Sequence, residues 1–450
     1  MAPRVARAAA PLLALLTTLL AAAALAASPA DASWRAPCVP GAQRPTCTFW
    51  NAKVVFVADG DTIRVRLADD PGRIQTIRFT GINAMELTRY SSSPERRRGA
   101  CHGLAATALV DQAVRQSRRM VRVAAQDAGS RSGKRLRRSV WAKVGGRWQD
   151  LGRMELQRGL ALWLPNGKEY AHNVEYRVLA QQASQARVGL YDPASCGAGP
   201  ADDVPLQVTV NWDADGNDRR NLNGEWVQVA NRGSHDVSLR GWWVRDSWLY
   251  HAAGGAYGYP FPASAVVPAG GSVRVHVGCG RDTPTDFHWC QRTSAFENVT
   301  HDRRALGDGG YLFDPDGDLR ASMIYPCLAP CTDPLDGALQ LTVNPRSPEW
   351  IALTNVGGGA VDLQGYLLKL HLHGSADKFI WSRPLDGTQL APGETLRMWL
   401  QGSGGDSPLV RHLGMRRYVL ADGGNVVSVQ SAAGAVVACA AWGRSSCRNP

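Results

Sequence analysis

The sequence predicts a multi-domain protein: a strand-rich unit carrying three helices, followed by two all-β sandwiches. Three observations lead there. At 450 residues the chain is too long for one compact core. Residues 53–195 alternate short β-branched runs with turn residues and stretches of helical spacing. The remainder repeats itself in sequence.

The chain opens with Arg4 and Arg7, a Leu/Ala-rich run from Leu12 to Ala27, and small-residue exits at Ala24-Leu25-Ala26 or Ala30-Asp31-Ala32. A positive flank, an apolar core and small exit residues are what signal peptidase reads, so residues 1–32 are expected to be a secretory signal. The expected product is secreted and extracellular. No later stretch is apolar enough to span a bilayer, and no membrane insertion is expected of the mature form.

Ten cysteines form an even set, which in an exported protein suggests disulfides. Close spacing favours Cys38–Cys47, Cys279–Cys290, Cys327–Cys331 and Cys439–Cys447, leaving Cys101 with Cys196; spacing alone does not fix these pairings. No Cys/His constellation has zinc-finger spacing. Charge is unevenly spread. Residues 34–200 carry 27 Lys+Arg against 13 Asp+Glu, more than the whole excess of the chain, whose net charge is +11. Such a segment attracts a polyanion, although a basic surface also serves solubility.

Residues 33–52 read as a disulfide-tied lead-in and 53–196 as the first domain. Lys53–Ala58, Thr62–Leu67, Ile74–Gly81, Met120–Ala125 and Val140–Val144 read as strands, separated by turns such as Asp59-Gly60 and Pro71-Gly72. Ala105, Leu109 and Ala113 mark a helix over about 101–116; Met154, Leu156 and Leu160 a short second; Tyr170–Gln185 a third. Residues 197–204, with Gly197-Ala198-Gly199-Pro200, read as a linker. Modules are expected at 205–331 and 337–447. Between them Glu225-Trp226-Val227 matches Glu349-Trp350-Ile351, and Asn231, Gly233, Leu239 and Gly241 match Asn355, Gly357, Leu363 and Gly365. Asp308-Gly309-Gly310 likewise parallels Asp422-Gly423-Gly424. Short alternating strands with Gly-rich turns suggest sandwiches.

The residues suited to chemistry are Asp59-Gly60-Asp61-Thr62, Arg78, Asn83-Ala84-Met85-Glu86, and Arg131 through Arg138. Phosphodiester cleavage needs a hard cation or guanidinium groups against the phosphate charge, and a carboxylate to take a proton from water. Asp61, Glu86, Arg78 and Arg137 are of those types. Pairing of the strands that carry Asp61 and Arg78 would bring Asp61 near the 83–86 loop. Trp163 and Tyr170 could stack on a base or simply pack; His102 and His172 read as structural.

Residues 53–191 resemble the staphylococcal nuclease (thermonuclease) family. The resemblance rests on Asp59-Gly60-Asp61-Thr62, Ile77-Arg78-Phe79-Thr80-Gly81-Ile82-Asn83-Ala84-Met85-Glu86, Arg158-Gly159-Leu160-Ala161 and the basic run from Arg131 to Arg137. It implies an OB-fold β-barrel with three helices and Ca²⁺-dependent cleavage of DNA and/or RNA to 3′-phosphates. It further implies Asp61, Asn83 and the Ala84 carbonyl as metal ligands, Glu86 as general base, and Arg78 and Arg137 as phosphate clamps, with Lys134 and Arg135 binding substrate. Three departures stand out. Asn83 replaces a commonly second aspartate ligand, which lowers expected calcium affinity to roughly 10⁻⁴–10⁻³ M. Met85 replaces a proline. Leu136 and Arg138 replace glycines, leaving Arg135 or Arg138 as alternative phosphate ligands.

The repeated modules resemble the lamin tail domain, an immunoglobulin-like β-sandwich. Asn221-Leu222-Asn223-Gly224-Glu225-Trp226-Val227 and Leu239-Arg240-Gly241-Trp242 carry the bacterial form in the first copy. The resemblance implies binding or attachment, to a cell-surface or wall component for instance, with Trp242, Trp243 and Trp248 as candidate contacts. Asp213, Asp215 and Asn217, or Asp314, Asp316 and Asp318, read as turn residues before calcium ligands. The reading is thus a secreted calcium-dependent nuclease. The alternatives are a catalytically weak extracellular binder of nucleic acid or surfaces, and a glycan-binding protein.

Overall fold

A computed structural model describes residues 33–85, 100–196, 199–212, 214, 217–248, 258–300, 303–327, 333–371, 379–431 and 435–447. The expected signal segment, Glu86, Asp213, Asp215 and Cys331 lie outside the described residues.

The N-terminal unit runs β1 (Ser33–Pro37), β2 (Thr46–Val57), β3 (Thr62–Leu67), β4 (Asp70–Phe79), β5 (Ile82–Ala84), α1 (Ala100–Gln116), β6 (Met120–Ala125), β7 (Arg131–Ser132), β8 (Arg135–Val144), β9 (Arg147–Asp150), α2 (Leu151–Gln157), β10 (Ala161–Trp163) and α3 (Asn173–Gln185). Five strands close a barrel in the order β2-β3-β4-β8-β6, with β6 returning to β2. The two-residue period of β3 shows why: Ile63, Val65 and Leu67 are buried while Arg64 and Arg66 face water. Asp150 caps α2, accepting from the Gly152 and Arg153 amides, and Tyr176 of α3 donates to the same carboxylate at 2.7 Å.

Several boundaries differ from the sequence expectation. β4 begins at Asp70 rather than Ile74, so Pro71-Gly72 lies within a strand and is no turn, and α3 begins at Asn173 rather than Tyr170. β2 runs through residue 52, because Thr48 to Lys53 pair with β6, so the lead-in is continuous with the barrel. β8 begins at Arg135, five residues before the expected Val140, because Ile77–Phe79 of β4 pair in parallel with Leu136–Arg138. The basic run is therefore partly strand, which fixes where each arginine points.

The first sandwich comprises β11 (Leu206–Asn211), β12 (Trp226–Asn231), β13 (Val237–Ser238), β14 (Trp243–Arg245), β15 (Tyr259–Pro260), β16 (Val266–Val267), β17 (Ser272–His276), β18 (Asp286–His288), β19 (Asp308–Phe313) and β20 (Leu319–Tyr325). Its sheets are ordered β11-β12-β17-β18 and β15-β14-β19-β20. Val208, Val227, Val273 and Phe287 of one sheet meet Val244, Leu312, Met323 and Tyr325 of the other in one core. The second sandwich repeats this strand for strand. Leu339–Asn344, Trp350–Asn355, Thr395–Trp399 and Val410–His412 form one sheet; Phe379–Pro384, Leu367–His371, Val426–Gln430 and Val436–Ala441 form the other. The internal repeat of the sequence is thus a repeat of topology.

Disulfides join Cys38–Cys47, Cys101–Cys196, Cys279–Cys290 and Cys439–Cys447, as spacing suggested. Cys327 is also disulfide-bonded. Among the described residues no helix is long and apolar enough to cross a membrane.

The first sandwich is not strung loosely from the barrel. Along β14 and β19, Val244 and Leu312 enter the sandwich core, whereas Trp243, Tyr311 and Phe313 enter the barrel's core. This sheet is buried on both faces, which accounts for the consecutive apolar residues Trp242-Trp243-Val244 and Tyr311-Leu312-Phe313. Polar bonds reinforce the junction: His102 to Asp318 at 2.8 Å, Gln181 to the Ile324 carbonyl at 2.9 Å, and Asn173 to the Arg304 carbonyl at 2.6 Å. Trp242 and Trp243 are buried, so neither offers a glycan surface. Asp314 and Asp318 serve a turn and the junction: Asp314 accepts from the Asp316 and Asp318 amides and from Arg320.

Glu225, one landmark of the repeat, is buried and accepts from the Ala295 amide. Burial pushes its carboxyl up to about 8. The folded state then holds this proton while the unfolded chain has released it, so stability is full at acidic pH. It declines as pH rises from the unfolded carboxyl value to about 8, and is flat above. Glu225→Gln is expected to flatten that decline in urea melts taken across the window. An unchanged slope contradicts the assignment.

Candidate phosphate site

Local sequence brings four separated segments together. Gly60 lets the Asp59–Asp61 turn press against α1 and β5; a Cβ there would lie 2.5 Å from that of Ala106 and 2.9 Å from that of Ala84. Asp61 precedes β3, and its carbonyl accepts from the Phe79 amide at 2.7 Å. Thr62 pairs with Arg78 across β3 and β4, and Arg78 pairs with Arg137 across β4 and β8. Gly81, at φ +82°, turns the chain into β5. There Asn83 and Ala84 pair with Leu162 and Ala161 of β10, the strand that follows Arg158-Gly159.

The side chains converge. Arg78 forms an ion pair with Asp61 and donates to Asn83 Oδ1 at 3.0 Å. Asp61 Oδ2 accepts from the Ala84 amide at 2.8 Å, and Oδ1 from the Thr62 hydroxyl at 2.9 Å. Asp61, Arg78 and Asn83 are 4, 8 and 6% exposed, so these contacts are poorly screened.

The arginines of β8 divide by strand alternation. Arg138 is buried, donates to the carbonyls of Ser130, Arg137 and Ala128, and lies over Trp50; it is structural. Arg135 reaches the Thr62 hydroxyl at 3.4 Å, and Lys134 is exposed at the β7–β8 turn. Arg137 is half-buried beside Arg78, and its guanidinium makes no hydrogen bond or ion pair among the described residues. Burial lowers its pKa, and the positive charge of Arg78 lowers it further. A guanidinium stays protonated regardless, so two adjacent cations stand here, Arg78 paired with Asp61 and Arg137 within the field of Glu169.

The expected metal ligands are all oxygens, Asp61, Asn83 Oδ1 and the Ala84 carbonyl, of which Asp61 and Asn83 Oδ1 already accept from Arg78, Thr62 and the Ala84 amide. That chemistry fits a hard ion such as calcium, which would share Asp61 and Asn83 with Arg78. The expected base, Glu86, follows Met85 directly but lies outside the described residues. A second cluster, His102, Cys196 and Asp318, is no cation site, since the Cys196 sulfur is bonded to Cys101.

Two features escaped the sequence. Glu155 of α2 is fully buried with neither oxygen hydrogen-bonded among the described residues. Burial, and then the nearby charge of Asp61, push its carboxyl well above the usual range. Its place on the apolar face of Met154-Glu155-Leu156 was the available signal. The other is Ser247 of the first sandwich, whose carbonyl accepts from Asn83 Nδ2 at 3.0 Å; no local pattern announces a contact so distant along the chain. Trp163 is wholly buried, which makes it core. His172 stacks on Tyr176 and packs near Trp141, as a structural histidine would.

Residues 205–326 match the lamin tail domain family model. No curated protein matches the chain.

Proposed function

We propose that the chain is a secreted, calcium-dependent nuclease whose barrel is an OB-fold of the staphylococcal nuclease type, cleaving DNA and/or RNA to 3′-phosphate products. The observation that carries this reading is Arg137: a guanidinium with no hydrogen bond or ion pair among the described residues, next to a second one paired with Asp61. The barrel order supports the OB assignment, with the first, second, third, fifth and fourth strands in sequence and the third and fifth parallel.

In this reading a phosphodiester enters beside Arg137, which binds two phosphoryl oxygens through its planar fork. Arg78, aligned by Asp61 and Asn83, donates to the charge that builds in the transition state. Glu86 takes or orients the proton of the attacking water. Calcium, held by Asp61, Asn83 and the Ala84 carbonyl, supplies further positive charge at the phosphate. Lys134 and Arg135 guide the flanking backbone. The second sandwich, alike in topology to the first, is proposed as a further lamin tail-like module for attachment to a cell surface or wall.

The test is digestion of single-stranded and duplex DNA and of RNA by the full-length secreted protein, with calcium, with chelator, and as Glu86→Gln. Calcium-dependent cleavage that falls by about two to four orders of magnitude in Glu86→Gln is expected. Salt-sensitive binding without cleavage in millimolar calcium would replace the nuclease by a nucleic-acid-binding protein.

A further inference from the structure

We propose that the first sandwich completes the phosphate site, with Trp248 as the positioning residue for Arg137. The inference rests on the nuclease reading above and adds to it a part supplied by a different domain.

The geometry is specific. The chain leaving β14 passes over the barrel site. Its Ser247 carbonyl takes the Asn83 amide, which in turn holds Arg78. The next residue, Trp248, lies with its ring centroid 5.5 Å from the guanidinium carbon of Arg137. An aromatic face is an apt support for this arginine. A carboxylate partner would consume the in-plane N–H donors and cancel the charge. A ring attracts the cation through its face and leaves the in-plane donors for phosphate. Arg138 shows the opposite arrangement, with its donors spent on the backbone carbonyls of Ser130, Arg137 and Ala128. Trp248 is itself half-buried, and its indole N–H has no partner among the described residues.

Asn83 fits the same scheme. Its Oδ1 accepts from Arg78 while its Nδ2 donates to Ser247. An aspartate would set a carboxylate oxygen against the Ser247 carbonyl, so the amide suits a barrel that carries a sandwich on its site.

The junction is built to stay closed. Trp243, Tyr311, Phe313, Leu319 and Ile324 of the sandwich share one core with the barrel, and separating the two would expose that surface. The sandwich is therefore a fixed neighbour of the Asn83, Arg78 and Arg137 side chains.

The experiment measures binding of a single-stranded DNA 12-mer to the full-length protein, in chelator and low salt, by fluorescence anisotropy. Trp248→Ala is expected to weaken binding about tenfold, and Trp248→Phe, which restores a ring, to stay within about threefold of the unsubstituted protein. Thermal melts establish that each variant is folded. Affinities unchanged in Trp248→Ala, or lost equally in Trp248→Phe and Trp248→Ala, overturn the positioning role. Tighter binding in Trp248→Ala also overturns it, since the sandwich would then be blocking the site. If the unsubstituted protein fails to bind, or Arg137→Ala binds as well as it does, Arg137 is no phosphate ligand and this inference falls, while digestion with calcium decides the nuclease reading separately.

Discussion

Under the proposed nuclease function, Arg78→Ala is expected to lower turnover by about two to three orders of magnitude and to destabilise the protein as well. The two losses have separate causes. Arg78 is aligned by Asn83 and paired with Asp61 beside Arg137, so its removal deletes the donor that the proposed mechanism assigns to the phosphoryl group. It also strands Asp61, which is 4% exposed and would keep only the Thr62 hydroxyl and the Ala84 amide. Breaking a buried pair on one side costs about 3–5 kcal/mol. Arg78→Lys separates the effects: it keeps a charge for Asp61 but lacks the planar fork, so stability is largely retained while turnover stays low. Initial rates on a labelled single strand, paired with urea melts, give both readings. Wild-type turnover in Arg78→Lys would remove the Arg78 guanidinium as a transition-state donor from the mechanism.

Loss of the Cys101–Cys196 disulfide is the second large effect expected. The bond joins the start of α1 to the segment beyond α3, across a sequence separation of 95 residues. It lies beside the His102–Asp318 bond of the barrel–sandwich junction. Closing a loop of this length removes chain entropy from the unfolded state worth about 4–5 kcal/mol. The Cys101→Ser/Cys196→Ser double variant should therefore unfold at clearly lower denaturant. Because the bond ties a helix entrance at the junction, nucleic-acid binding should weaken in the same variant before global unfolding. A midpoint within error of the parent would mean that tertiary contacts alone hold this junction. The Cys38–Cys47 bond closes only a separation of 9, so its removal should cost less.

Much of the site was legible because its parts are local. Asp59-Gly60-Asp61-Thr62 is a turn that opens a strand, and β3 spans Thr62–Leu67 as the alternation required. The three helices fall where apolar residues recur at helical spacing, and the repeat of Glu225-Trp226 in Glu349-Trp350 became a repeat of sheets. The choice among Arg135, Arg137 and Arg138 was not legible. It depends on the register of β8 against β4, and a parallel pairing between strands nearly sixty residues apart leaves no local trace. Glu155 was passed over for a similar reason: a carboxylate on an apolar helix face looks solvated until its neighbours are known.

Sequence by itself determined the modular order, the basic character of the barrel and the residue types able to meet a phosphate, because composition, periodicity and spacing are properties of short stretches. Only tertiary structure decided which arginine has no hydrogen bond or ion pair among the described residues, and that the first sandwich lies against the barrel site. Those outcomes depend on a sheet buried on both faces, and on an amide shared between residues 83 and 247. Packing of this kind is set when two separately formed surfaces meet, and neither surface alone specifies the other.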